Sequence, residues 1–153
     1  MLTDYHLHLR PDDAGTEAAQ YFTAANAERY RTVAEDRGIT ELGCSEHVYR
    51  FAQALEVWRH PLWRESAVDD LDGYVGFVRE QTDLKLGIEA DFVAGREDRM
   101  ATLLEAHDWD YVVGFDDPAA IAVGAVAERG AVDAPPAARR AQDDRVLGAR
   151  RVL

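Results

Sequence analysis

From Thr3 to Leu9 polar and apolar side chains alternate: Thr3, Asp4, Tyr5, His6, Leu7, His8, Leu9. A period of two predicts an extended strand, with Tyr5, Leu7 and Leu9 on the packing face and His6 and His8 together on the other. The rhythm then lengthens. With Thr16 as N-cap, Ala18, Tyr21, Phe22, Ala25, Arg29, Val33 and Ala34 predict one long helix ending near Gly38. Ile39 to Ser45 reads as a short buried strand that runs into Glu46-His47, followed by a loop rich in aromatic residues and Arg from Val48 to about Glu65. Leu71, Tyr74, Val75 and Val78 predict a second helix, Leu84 to Glu89 a third strand, Arg96 to His107 a third helix with Met100, Leu103 and Leu104 inside, and Tyr111 to Gly114 a fourth strand. Strand and helix alternating at this spacing predict a parallel sheet with right-handed crossovers, an α/β layer or a barrel of β/α units.

Composition narrows the classes of function. The chain has 153 residues, 47% hydrophobic and 30% charged, enough for one soluble domain with a sizeable core. It has no run of about 18 apolar residues and no basic-then-apolar start, so a cytoplasmic protein with no membrane partner is expected. A net charge of −12 argues against nucleic acid as partner and favours attraction of multivalent cations. The single cysteine, Cys44, leaves no internal disulfide and no Cys-based zinc site, so a metal here must be held by His and carboxylate.

In parallel α/β folds chemistry gathers at the C-terminal ends of strands. Histidine and carboxylate recur there: His6 and His8 after the first strand, Glu46 and His47 after the second, Glu89 and Asp91 after the third. Any one of them taken alone reads equally well as a solvated loop residue. Three successive strand ends meeting at one mouth read as a site for two or more divalent ions.

The motifs Asp-Tyr-His-Leu-His at 4–8, Cys-Ser-Glu-His at 44–47, Gly-Ile-Glu-Ala-Asp at 87–91 and Asp-Tyr-Val-Val-Gly at 110–114, in this order, resemble the polymerase-and-histidinol-phosphatase (PHP) superfamily, and within it the stand-alone histidinol-phosphatases. The resemblance implies the N-terminal part of a distorted (β/α)7 barrel, parallel strands with flanking helices, and up to three divalent ions at the strand ends. It also implies hydrolysis of L-histidinol phosphate to L-histidinol and phosphate in histidine biosynthesis. His6, His8, His47 and Glu89 carry over as metal ligands, and Asp13, or its neighbour Asp12, as a further one. His and carboxylate donors suit Zn, Mn or Fe without choosing among them. Around the ions, Glu46 is expected to act as a supporting carboxylate or a ligand. Arg10 is read as a phosphate clamp or, by the commoner reading of such an arginine, an exposed surface residue, and Arg50 as a second substrate contact. His60 and His107 are read as a loop residue and a helix-end residue. Trp58 and Trp63 are read as a cover for substrate or simply loop packing.

The family pattern breaks after Gly114. Serine, a small residue and a liganding histidine are expected next, but Phe115-Asp116-Asp117 follows, and no histidine occurs beyond His107. Composition breaks at the same place: residues 115–153 carry one of 14 aromatic residues and 11 alanines. Two regions are therefore expected, a partial barrel over 1–114 and an Ala/Arg-rich tail over 115–153. The tail is read as the product of a frameshift or truncated gene in GC-rich DNA, with a genuine helical tail from Ala119 to Arg129 as the alternative. An open sheet edge after the fourth strand would favour self-association. Two rival functions stay open: an amidohydrolase-like enzyme, for which the sole lysine, Lys85, sits at the wrong end of its strand, and a non-catalytic metal-binding fragment.

Overall fold

The computed structural model describes residues 1–13 and 15–115. The expected tail falls outside them, except that Phe115 is the last residue of the fourth strand. The elements are β1 (Leu2–Asp4), α1 (Ala18–Tyr21), α2 (Ala24–Asp36), β2 (Ile39–His47), two 3-10 turns (Val48–Arg50 and Ala52–Glu56), α3 (Pro61–Ser66), α4 (Leu71–Gln81), β3 (Lys85–Asp91), α5 (Glu97–Glu105) and β4 (Tyr111–Phe115). All strand pairs are parallel, in the order β1-β2-β3-β4, so the predicted α/β class with helical crossovers is what forms. No helix among the described residues is long and apolar enough to cross a membrane.

The sheet curls into a half-barrel. A flat sheet would hold its two edge strands about 14 Å apart, three strand spacings. Instead the rings of Tyr5, just past β1, and Tyr111 of β4 have centroids 5.0 Å apart. Room for this comes from Gly43 of β2 and Gly87 of β3, where a Cβ would run into the Tyr111 ring. On the other face α4 lies on the strands. Its Tyr74 is wholly buried, and the hydroxyl donates to the carbonyls of Cys44 (2.9 Å) and Gly87 (2.8 Å). Phe51, Tyr74, Leu71, Val78, Leu86 and Ile88 form the heart of the core, each worth about 1.5–3 kcal/mol in burial.

Three local expectations are corrected. The first strand ends at Asp4 rather than Leu9, and its pairing with β2 shifts register between Leu2 and Thr3. Residues 5–7 still follow β2, the Ser45 N–H donating to the Leu7 carbonyl (2.9 Å) and the Ser45 hydroxyl to that of Tyr5 (3.1 Å). The first long helix is broken in two. Phe22 turns inward to stack on Phe77, and Thr23 rather than Thr16 caps α2, its hydroxyl accepting from the Asn26 N–H at 3.2 Å. The stop is as expected, since Gly38 takes φ +73° just past the helix. The loop after β2 is mostly helical turns: Pro61 opens α3, His60 caps it through Nδ1, and Val48, Ala54, Val57 and Trp63 are buried.

Candidate metal centre

β1, β2 and β3 end side by side, and their register sets the site. His47 pairs with Glu89 across β2 and β3, while the segment after β1 lies against β2 on its other side. Glu89 is 5% exposed and sits at the centre. Its Oε2 lies 2.9 Å from His6 Nε2, 3.2 Å from His8 Nε2 and 3.2 Å from His47 Nδ1. The rings are stacked into place, His8 on His47 at 4.3 Å and His47 on Tyr49 at 4.8 Å. His6 meets His8 edge-on at 5.2 Å.

The electrostatics match a ligand set. Burial pushes the Glu89 carboxyl up, but the hydrogen bonds from His6 and His8 and the neighbouring His47 hold it well below the usual carboxylate range. Burial takes His47 down to about 4, against the pull of Glu89 and Asp12, so near neutral pH its imidazole is uncharged and keeps a lone pair for a cation. Asp91, on the same face of β3 two residues on, is pushed up to about 7 by burial and then by the charge of Glu89.

A divalent cation fits the arrangement of His6, His8 and Glu89. Ligand atoms about 2.0–2.1 Å from a tetrahedral metal lie about 3.3 Å from one another. The ring nitrogens stand close to that distance from Glu89 Oε2, and the donor atoms of His6, His8 and Glu89 all fall within 4.8 Å of one another. Three imidazoles around one oxygen is also more donor capacity than a carboxylate requires. Two buried polar atoms beside it, His8 Nδ1 and Asp91 Oδ2, have no hydrogen-bond partner among the described residues.

The remaining sequence candidates have other surroundings. Asp13 is exposed and is engaged through its carbonyl, which accepts from the Thr16 hydroxyl at 3.0 Å. The carboxylate that approaches the histidines is that of Asp12, 3.6 Å from His47 Nε2 and bonded to Arg50 and Tyr49. Glu46 has no exposed surface; its Oε1 accepts from the backbone N–H of Leu9 (2.7 Å) and Arg10 (3.2 Å), and its Oε2 pairs with Arg50. Burial pushes its carboxyl up, opposed by Arg50. The reading of Arg10 as a surface residue is corrected: it is buried, ion-paired to Asp69, and donates from Nε to the Thr16 hydroxyl (2.9 Å) and from Nη2 to the Thr16 carbonyl (2.8 Å). Lys85 opens β3 at the end away from the mouth, 3.9 Å from Glu41. Tyr49 and Asp69 escaped sequence reasoning. Nothing in the spacing distinguishes a tyrosine that stacks on a candidate ligand from one that packs a loop, and Asp69 meets Arg10 across 59 residues of chain.

With this geometry in hand, comparison with known proteins finds one similarity of use. Over 137 residues the chain is 28% identical to a probable histidinol-phosphatase of Deinococcus radiodurans, covering 79% of this chain and 47% of that protein. The chain thus spans about half the length of the curated relative it matches. No protein-family model matches it, and no solved structure does. The likeness supports a PHP-like relationship at most.

Proposed function

We propose that the chain carries the metal centre of a metal-dependent phosphate monoester hydrolase acting on L-histidinol phosphate. The observation that carries this reading is the convergence of three imidazole nitrogens on one oxygen of the buried Glu89. The similarity to a probable histidinol-phosphatase supports the substrate class. His6, His8, His47 and Glu89 would hold the ion, with Asp12 within reach as a further donor, and Zn, Mn or Fe would suit the set. A divalent ion supplies Lewis acidity toward a phosphoryl oxygen and toward water. The chain's own residues do the rest. Glu89 gathers the imidazoles, Glu46 holds the turn after His8 through two backbone N–H groups, and the stack of His8, His47 and Tyr49 keeps the ring planes fixed.

The test has two readouts. Mn2+ or Zn2+ should bind the wild-type chain, and a His6→Ala, His8→Ala double variant should bind more weakly by more than the roughly 10- to 100-fold that losing a partner of a ligand costs. Phosphate release from L-histidinol phosphate should require the ion and vanish in the same variant. Unchanged metal content in the double variant would sink the metal centre. Metal binding without phosphate release from any monoester would leave the non-catalytic reading standing.

A further inference from the structure

Arg50 is placed unlike a substrate contact. It is 3% exposed and stands one 3-10 turn after His47. Its Nη1 donates to the Arg10 carbonyl at 2.6 Å and to Glu46 Oε2, and its Nη2 donates to Asp12 Oδ1. Through these bonds one guanidinium reaches every segment that frames the histidines except β3. The turn after His8 is held twice, directly at the Arg10 carbonyl and through Glu46, whose other oxygen accepts from the N–H groups of Leu9 and Arg10. The next loop is held at Asp12, whose second oxygen is 3.6 Å from His47 Nε2. Tyr49 adds to the same bracket, donating to Asp12 (3.3 Å) while its ring backs His47.

We propose that Arg50 is the positioning residue of this centre, holding Glu46 and Asp12 so that His8 and His47 meet Glu89 in register. This rests on the metal-centre reading above and replaces the expectation that Arg50 binds substrate. The planar fork is what the role requires. Its separate N–H donors reach two carboxylates and a carbonyl at once, whereas a lysine ammonium is a compact charge on a flexible stem and cannot span all three. The guanidinium also lies between the carboxylates of buried Glu46 and exposed Asp12, which compete with any phosphate for it.

The deciding experiment is calorimetric titration of Mn2+ into the full chain and its Arg50→Lys variant, each below its own melting temperature as read by circular dichroism. The variant should stay folded, because a positive charge still faces Glu46, and should bind Mn2+ about 10- to 100-fold more weakly, the range for losing a partner that orients metal ligands. Inorganic phosphate, titrated into each Mn2+-loaded protein, should bind both alike. A lowered melting temperature with unchanged Mn2+ affinity would make Arg50 merely structural, and unchanged Mn2+ affinity with weakened phosphate binding would make it a substrate contact; either overturns the proposal. If Arg50→Lys does not fold, Arg50→Gln takes its place, since its amide keeps an N–H donor for Glu46 or the Arg10 carbonyl but cannot span to Asp12 as well. Unchanged Mn2+ affinity there would overturn the proposal equally. A wild-type chain that binds no Mn2+ would remove the metal-centre reading and this one with it, whereas wild-type binding that the variants leave unaltered removes this one alone.

Discussion

Where β3 and β4 begin, Asp110 accepts from the Leu86 N–H (2.7 Å) and from Arg79 Nη1 (2.8 Å), with both side chains about one-third exposed. Where β1, β2 and β3 end, Glu46, Glu89, Arg10 and Arg50 are all buried, and His8 Nδ1 and Asp91 Oδ2 find no partner among the described residues. Both ends of the sheet use carboxylates and arginines, but several of them are buried at only one. At the starting end each charge is satisfied by a local bond and by solvent, which is what fastening a helix to a sheet needs. At the finishing end several ionisable groups are taken out of water, an arrangement that is costly unless every group is paired. The unpartnered His8 Nδ1 and Asp91 Oδ2 are there, beside the ion site proposed above.

Removing one partner at each end should expose this contrast. The largest loss is expected from Glu46→Ala, which takes from Arg50 its buried carboxylate and leaves the Leu9 and Arg10 N–H groups without their acceptor in the interior. Breaking a buried ion pair from one side costs about 3–5 kcal/mol. Urea unfolding should show it, and a loss below about 1 kcal/mol would mean that water reaches this end too.

Asp110→Ala should cost less, about 1–2 kcal/mol, one charge-assisted bond to a backbone N–H and one to an arginine, both softened by solvent. Its pH dependence is a second check. Burial pushes the Asp110 carboxyl up, but the Leu86 N–H, Arg79 and Lys85 together hold it below the usual value. A carboxyl lowered in the folded state contributes stability that is fully present above its unfolded pKa, about 3.9, and is lost as pH falls through the folded value. Between neutral pH and acid the wild type should therefore lose its advantage over Asp110→Ala only below about pH 4. A difference that shrinks already between pH 7 and 5 would refute the assignment.

The smallest effect belongs to Arg59→Ala. Its pair with Glu56 is 2.9 Å long, but the side chains are 64% and 79% exposed. Such a pair contributes within about 0.5 kcal/mol, and added salt should erase it. A change above 1 kcal/mol would show that pairing outweighs solvent screening even on the surface.

Much of the fold was legible in the sequence because its signals are local. The apolar spacing of Leu71, Tyr74 and Val78 marks α4, Gly38 marks the end of α2, and the β-branched pair Val112-Val113 marks β4. Local signals failed where a distant contact outbid them. Phe22 breaks the first helix to reach Phe77, and the segment after β1 leaves strand geometry yet keeps its bonds to Ser45. Trp63 and Val57 are buried in a stretch whose aromatic and Arg content reads as loop, because their periodicity is that of short turns too brief to register.

By itself the sequence determined that strands and helices alternate, and that His6, His8, His47 and Glu89 stand at or just beyond strand ends. Side-chain direction in an extended chain repeats every two residues, and parallel strands joined by helices bring their ends to one side. Only the tertiary structure decided which charges serve as fastenings. Arg10 meets Asp69, Arg50 meets Asp12, and Glu46 meets the Leu9 N–H across 59, 38 and 37 residues. No spacing rule reaches that far: whether an arginine faces solvent, a phosphate or a buried carboxylate depends on which segments the curl of the sheet brings against it.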